Sequence, residues 1–185
     1  PSDKISVVYN TVDTDKFDHA PLNKDIIRQF KSKFLLTYVG HINDTHRGIH
    51  TVLEALAILR KEIHDVHIVL AGPVRETYGR ELKKIIDKHD LMDAITFTGW
   101  LDETEFGSYI DACDICLCPH LQTPQTNATF PNKVYLYHYY GKAVVAGNCD
   151  PIAEYLRETG GGITYPASDP VALARRDPEI AKMIV

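Results

Sequence analysis

Residues Phe34 to Leu59 read FLLTYVGHINDTHRGIHTVLEALAIL, and two different hydrophobic periods follow one another within them. Its first six residues, Phe34 to Val39, are apolar on both faces of an extended chain. A strand covered by helices on both sides of a parallel sheet requires that pattern. Gly40 ends the run. From Ile49 the period changes: Ile49, Val52, Leu53, Leu56 and Leu59 recur at three- and four-residue steps, the apolar stripe of an amphipathic helix. Strand, loop and helix in that order form the repeating unit of a parallel α/β sheet.

The same alternation extends in both directions. Short apolar runs predict strands at Ile5–Tyr9, His67–Ala71, Ile95–Thr98, Ile115–Cys118, Ala143–Ala146 and Gly162–Tyr165, and Gly or Pro stops most of them. Helical periodicity fills the gaps. Leu82, Ile85 and Ile86 mark a helix over Tyr78 to Leu91. Acidic residues open another at Asp102, where the helix dipole favours them. A third runs from Lys133 to Tyr140 and stops at Gly141. A fourth starts at Asp150-Pro151 and stops at Gly160. The expected architecture is a Rossmann-like three-layer α/β/α sandwich with a mainly parallel sheet. No internal repeat or linker interrupts residues 1–185, so one domain is expected.

Composition sets further bounds. With 44% hydrophobic and 24% charged residues among 185, the chain can bury a full core and is not a disordered segment. Twenty basic against 25 acidic side chains give a net charge of −5, which argues against a nucleic-acid-coating surface. No run approaches the roughly 18 apolar residues of a membrane helix. The start, Pro1-Ser-Asp-Lys4, is neither a signal peptide nor an initiator methionine, and reads as a fragment excised from a longer protein. Cys113, Cys116 and Cys118 formally contain a C-x-x-C, but Cys149 offers no matching second pair for zinc. Interleaved with Ile115 and Leu117, they fit a buried strand that uses Cys as a small hydrophobe. Reduced thiols would then indicate a cytoplasmic protein.

In such folds ligands sit beyond the carboxyl ends of the strands, and two loops there carry the candidate chemistry. The first is Gly40-His-Ile-Asn-Asp-Thr-His-Arg-Gly48. Gly48 permits close backbone approach, a helix N-terminus follows, and Arg47 can grip a phosphate in a fork; a solvated loop with Arg47 covering the surface is the plain alternative. The second runs from Thr123 to Lys133, where amides at Pro131-Asn132-Lys133 and the Lys133 charge would suit a phosphate. An ordinary long loop with a proline helix start explains it equally well. Trp100, just past Gly99, is placed to line a pocket. The tyrosines of Val134–Tyr140 suit core packing more than stacking on a ligand.

Two motifs carry no function. Asp13-Thr14-Asp15 has the form of a metal-binding Asp-x-Asp but fits a turn far from the loops above. Asn43-Asp-Thr and Asn127-Ala-Thr are formal glycosylation acceptors that a cytoplasmic protein would not use.

Taken in order, the motifs resemble the C-terminal domain of the glycosyltransferase group 1 family, retaining enzymes of GT-B architecture. Lys4 to Phe17 is similar to that family's "pNGVDxxxF" segment. Thr37-Tyr-Val-Gly-His41 through Arg47-Gly48 is similar to "fVGRlxxxKG". Tyr109 to Pro119 resembles "yxxADvxvxPs", and Phe130-Pro-Asn-Lys-Val-Tyr-Leu-Tyr137 through Ala146 resembles "tPnKlfEYmAxGkPVVa". Val69–Gly72, Ile95–Gly99, Glu154 and Gly160–Tyr165 match further blocks, so the likeness spans nearly the whole chain to about Leu173.

The resemblance implies a donor site built from Gly40, His41, Arg47, Gly48, Trp100, Leu101, Phe130, Asn132 and Lys133. Arg47 would bind the diphosphate, backbone at Trp100 and Leu101 would flank the base, and amides of Phe130 to Lys133 would cap the phosphates. Three departures stand out. His41 replaces the usual arginine, the family's paired glutamates fall on Ala128 and Leu136, and Leu173 to Pro178 skips most of a helix.

The implied reaction moves a sugar from a nucleotide-diphosphate-sugar to a hydroxyl with retention, in polysaccharide or glycan biosynthesis, with no metal and no cofactor. An N-terminal acceptor-binding domain, absent from this chain, would supply the acceptor side and any peripheral membrane association, so this half would bind without turnover. The missing glutamates leave open a second reading, a domain that has lost donor binding and serves as a partner-binding or regulatory module. A nucleotide-sugar epimerase would need converging acidic and histidine groups, which the sequence does not identify.

Overall fold

The computed structural model describes residues 10–175. Six parallel strands form one sheet, β1 Phe34–Val39, β2 Val66–Ala71, β3 Ile95–Gly99, β4 Ile115–Cys118, β5 Val144–Gly147 and β6 Gly162–Tyr165, in the order β3-β2-β1-β4-β5-β6. β1 pairs in register with β2 from Phe34↔Val66 to Val39↔Ala71, and with β4 at Leu36↔Ile115 and Thr37↔Cys116. It therefore lies inside the sheet, as its two apolar faces demand. The expected strand at Ile5–Tyr9 lies outside the described residues.

Helices cover both faces. Along β1, Leu36 and Tyr38 point into one core with Val52, Leu53 and Leu56 of α3 (Ile49–Leu59) and Leu82 and Ile86 of α4 (Glu76–His89). Leu35 and Val39 point into the other, with Phe30, Ile110, Val134, Ile152 and Leu156. Those residues come from α2 (Lys24–Phe30), α5 (Phe106–Ala112), α6 (Lys133–Tyr139) and α7 (Asp150–Thr159). The alternation along one strand thus fills two cores. Cys113, Cys116 and Cys118 are buried in the second core as unbridged thiols, with Cys113 Sγ 3.4 Å from Cys116 Sγ.

Two short helices precede β1 that periodicity does not reveal. In α1 (Thr14–Asp18), Asp13 is the N-cap and accepts from the Lys16 amide. The Asp13-Thr-Asp15 stretch therefore starts a helix rather than forming a plain turn. Asn23 caps α2 in the same way. At α5, Asp102 and Glu105 form a reciprocal capping box around a 3-10 turn. α4 ends at His89 with Asp90 left-handed, two residues before the expected Leu91. Among the described residues, the tail forms the five-residue α8, Pro170–Ala174.

No described helix is long and apolar enough to cross a membrane.

Candidate functional site

The strand order reverses direction between β1 and β4, and open α/β sheets open a crevice at that point, beyond the carboxyl ends of the two strands. The loops after β1 and β4 flank it and are fastened to each other. The Leu121 amide donates to the His46 carbonyl at 2.9 Å. Gly48, at φ +70°, lies so close to Pro119 that any Cβ there would collide with the Pro119 carbonyl. The close approach expected at Gly48 is thus to the chain's own backbone, not to a free ligand surface. It locks Arg47 in place at the crevice edge.

Arg47 is half-buried; its Nε donates to Asn43 Oδ1 at 3.4 Å, and its Nη1 lies 3.4 Å from His120 Nε2. His120 is 8% exposed, and burial, then the nearby Lys133 and Arg47 charges, push its pKa down to about 3. A neutral imidazole with Nε2 as acceptor is therefore what faces the guanidinium. His120 carries no signal in the sequence, because only the strand order brings the residue after β4 beside the loop after β1.

Lys133 opens α6, and Tyr137 one turn later fixes that helix to the crevice. The Tyr137 hydroxyl accepts from the Val39 amide at 3.0 Å and donates to the Leu117 carbonyl at 3.1 Å, clamping the ends of β1 and β4 together. Lys133 Nζ then lies 3.6 Å from the Tyr38 ring centroid, a cation on the negative face of a ring. A Cβ on Gly40, at φ +118°, would stand 3.2 Å from Nζ, so glycine leaves the amine room toward the crevice. The stem reaches the surface while Nζ is shielded from water, with no hydrogen-bond partner among the described residues. Burial, reinforced by the Arg47 charge, pulls its pKa down to about 7. Burial likewise raises the Cys118 thiol to about 11, so it offers no counter-charge. An unpaired buried amine beside a guanidinium is costly unless an anion completes the site.

The remaining expected residues are spread around this centre. His41 is exposed, its carbonyl accepting from Tyr38 Oη at 3.1 Å. Trp100 is 73% exposed at the end of β3, two strand spacings (about 10 Å) from β1, and Leu101 packs against the core beneath. Asn132 is exposed, and its Oδ1 accepts from Asn10 Nδ2 at 2.9 Å. The Val134 and Tyr135 amides are taken by the carbonyls of Pro131 and Asn132, each at 3.1 Å. The Phe130 side chain turns away to stack on Tyr135, ring centroids 4.7 Å apart. Of the two positions without glutamate, Ala128 is exposed on the loop and Leu136 is buried in the core. Among the described residues no group of three His, Cys, Asp or Glu is arranged to hold a metal.

Sheet order and crevice together define a Rossmann-like α/β domain with a crevice at its switch point. The sequence pattern of the family "Glycosyl transferases group 1" matches residues 33–178, and the chain belongs to that family. It is 26% identical over 165 residues to the phosphatidyl-myo-inositol mannosyltransferase of Mycolicibacterium smegmatis, an alignment covering 89% of this chain and 40% of that protein. The chain spans about 40% of the length of the curated relatives it matches. The fold is similar to that of HepE from Anabaena in complex with UDP and glucose, with TM-score 0.73 and 19% identity, covering 97% of this chain and 50% of that one. It is also similar to the C-terminal domain of a glycosyl transferase group 1 family protein (LpcC) from Francisella tularensis, with TM-score 0.68 and 20% identity, covering 94% and 92%.

Proposed function

We propose that this chain is the donor-binding half of a retaining glycosyltransferase, and that its switch-point crevice holds the diphosphate of a nucleotide-diphosphate-sugar. The observation that carries this reading is Lys133 Nζ, buried without a hydrogen-bond partner among the described residues, in a crevice it shares with Arg47. A diphosphate would supply the missing counter-charge to both. The base would lie toward Trp100 and Leu101, about two strands away.

The work of this half is then electrostatic. As the bond from the sugar carbon to the diphosphate oxygen breaks, negative charge grows on the leaving group, and fixed cations in a water-poor crevice stabilise it. Arg47 supplies a planar fork and Lys133 a point charge, so no metal is required. The acceptor hydroxyl and the groups near it belong to an N-terminal domain outside this chain, and the isolated half binds without turnover. The UDP found in HepE makes UDP the first nucleotide to try.

A second reading has an observation in its favour. Leu136 is packed in the core where the family places a carboxylate, and exposed Ala128 offers none either. A domain lacking both would hold sugar and ribose hydroxyls poorly, and would suit a partner-binding or regulatory role.

Calorimetric titration with UDP, GDP and ADP separates the two. Binding of one nucleotide at micromolar to submillimolar concentration supports the donor site. Silence from all three at millimolar concentration supports the lost-function module.

A further inference from the structure

A groove of about 520 Å³ lies between α6 and α7, lined by Phe130, Tyr135, Pro151, Glu154, Tyr155 and Glu158. It is not the donor crevice. Tyr135 stands two residues after Lys133, so at about 100° per residue the two side chains leave α6 in nearly opposite directions. Lys133 points to Tyr38 while Tyr135 points to α7.

The groove is built from flat rings held in fixed positions. Phe130 stacks on Tyr135 at 4.7 Å with planes 33° apart, and meets Tyr155 edge-on at 4.9 Å. His138 stacks on Tyr155 at 5.4 Å and 20°. Its Nε2 is 3.0 Å from the Gly161 carbonyl, which can only accept, so Nε2 carries the proton. Nδ1 is then an acceptor, and the Tyr155 hydroxyl donates to it at 3.1 Å. Tyr155 cannot swing away without giving up both contacts. Phe130, Tyr135 and Tyr155 are each only partly buried, so ring surface remains open.

Charge then narrows the ligand. Glu154 and Glu158 stand one turn apart on the exposed face of α7, and neither is in an ion pair among the described residues. Among the described residues, no Lys or Arg lines the groove. Two unpaired carboxylates repel phosphate and other anions, but each offers oxygens to hydroxyl donors. Aromatic walls favour a flat apolar face. A neutral ring with C–H bonds on its faces and hydroxyls at its rim satisfies both demands.

The geometry points to the α6–α7 groove as a binding subsite for a neutral saccharide, distinct from the nucleotide crevice. Such a subsite would hold a glycan chain against the outer face of this half.

The test uses the 185-residue chain, isotopically labelled, with amide spectra recorded during titration with maltotriose and, separately, mannotriose. At least one should shift Tyr135, Glu154, Tyr155 and Glu158 with a dissociation constant of about a millimolar. The double substitution Glu154→Lys, Glu158→Lys should weaken that binding about tenfold or more. It changes exposed residues only, and the rest of its spectrum should overlay on the parent's. A trisaccharide carrying glucuronate should bind more weakly than its neutral counterpart. A parallel nucleoside diphosphate titration reads the donor crevice separately. Shifts centred on Gly40–Gly48 and Lys133, no shifts at ~20 mM sugar, or unchanged affinity in the double variant would each overturn the assignment.

Discussion

In the proposed diphosphate site, Arg47 and Lys133 would divide one task by their chemistry. The guanidinium is always charged and forked, while the buried amine has its pKa lowered to about 7. Losing the fork should cost about 1.5–3 kcal/mol, the range for hydrogen bonds to charged groups. Arg47→Ala should therefore weaken nucleoside diphosphate binding roughly 10- to 100-fold, leave the unphosphorylated nucleoside unaffected, and be partly rescued by Arg47→Lys. Isothermal calorimetry on the three variants checks this; equal affinities would place the phosphate elsewhere. Lys133 predicts a proton signature. Near pH 8 most of the free amine is neutral, and an incoming phosphate recharges it. Binding should take up close to one proton, seen as a dependence of the heat on buffer ionisation enthalpy, and affinity should fall as pH rises above about 7.

The same amine works against stability. Its folded pKa is about 7 and its unfolded value 10.5, so between those pH values the unfolded chain binds the extra proton. Folding stability from this group therefore rises with pH across that window, and the penalty is fully present below it. Lys133→Met should melt at a higher temperature than the parent at neutral pH while binding nucleoside diphosphate at least tenfold more weakly. The gain in melting temperature should shrink toward pH 10. A variant that loses both stability and binding would mean that Lys133 already has a partner in the free protein.

The loops after β1 and β4 act as one unit because Gly48 allows them to touch. Gly48→Ala combines a left-handed backbone with a collision at Pro119. Together these should cost about 2–4 kcal/mol and lower the melting temperature by roughly 5–15 °C; an unchanged melt would show that the contact gives way freely. The strands and long helices were legible in the sequence because each carries its own period, from the two-faced run Phe34–Val39 to the stripe of α3. Helices α1 and α2, of five and seven residues, were not, since so few turns cannot establish a period and only their caps at Asp13 and Asn23 mark them. Arg47 was legible because glycine and a helix start stand beside it. His120 and Tyr137 were not, for their meaning comes from contacts 73 and 98 residues away. Phe130 was legible as a residue of the loop, but nothing in the chain told which way its ring would turn.

Over the whole molecule, one sheet order accounts for the placement of every candidate group. With β1 central and the reversal between β1 and β4, cations after both strands converge, and Trp100 at β3 falls about a base-to-phosphate span away. The four buried thiols belong to the same frame as packing, and elemental analysis of purified protein should show no stoichiometric zinc; bound zinc would overturn the core role of β4. On the proposed reading, the switch-point crevice is a diphosphate site completed by its ligand. The decisive measurement is a crystal structure of this chain grown with the nucleoside diphosphate that binds best. Phosphate oxygens should lie within about 3 Å of both Arg47 and Lys133 Nζ, with the base against Trp100 and Leu101. A nucleotide bound anywhere else, with Lys133 Nζ still unpaired over Tyr38, would contradict it.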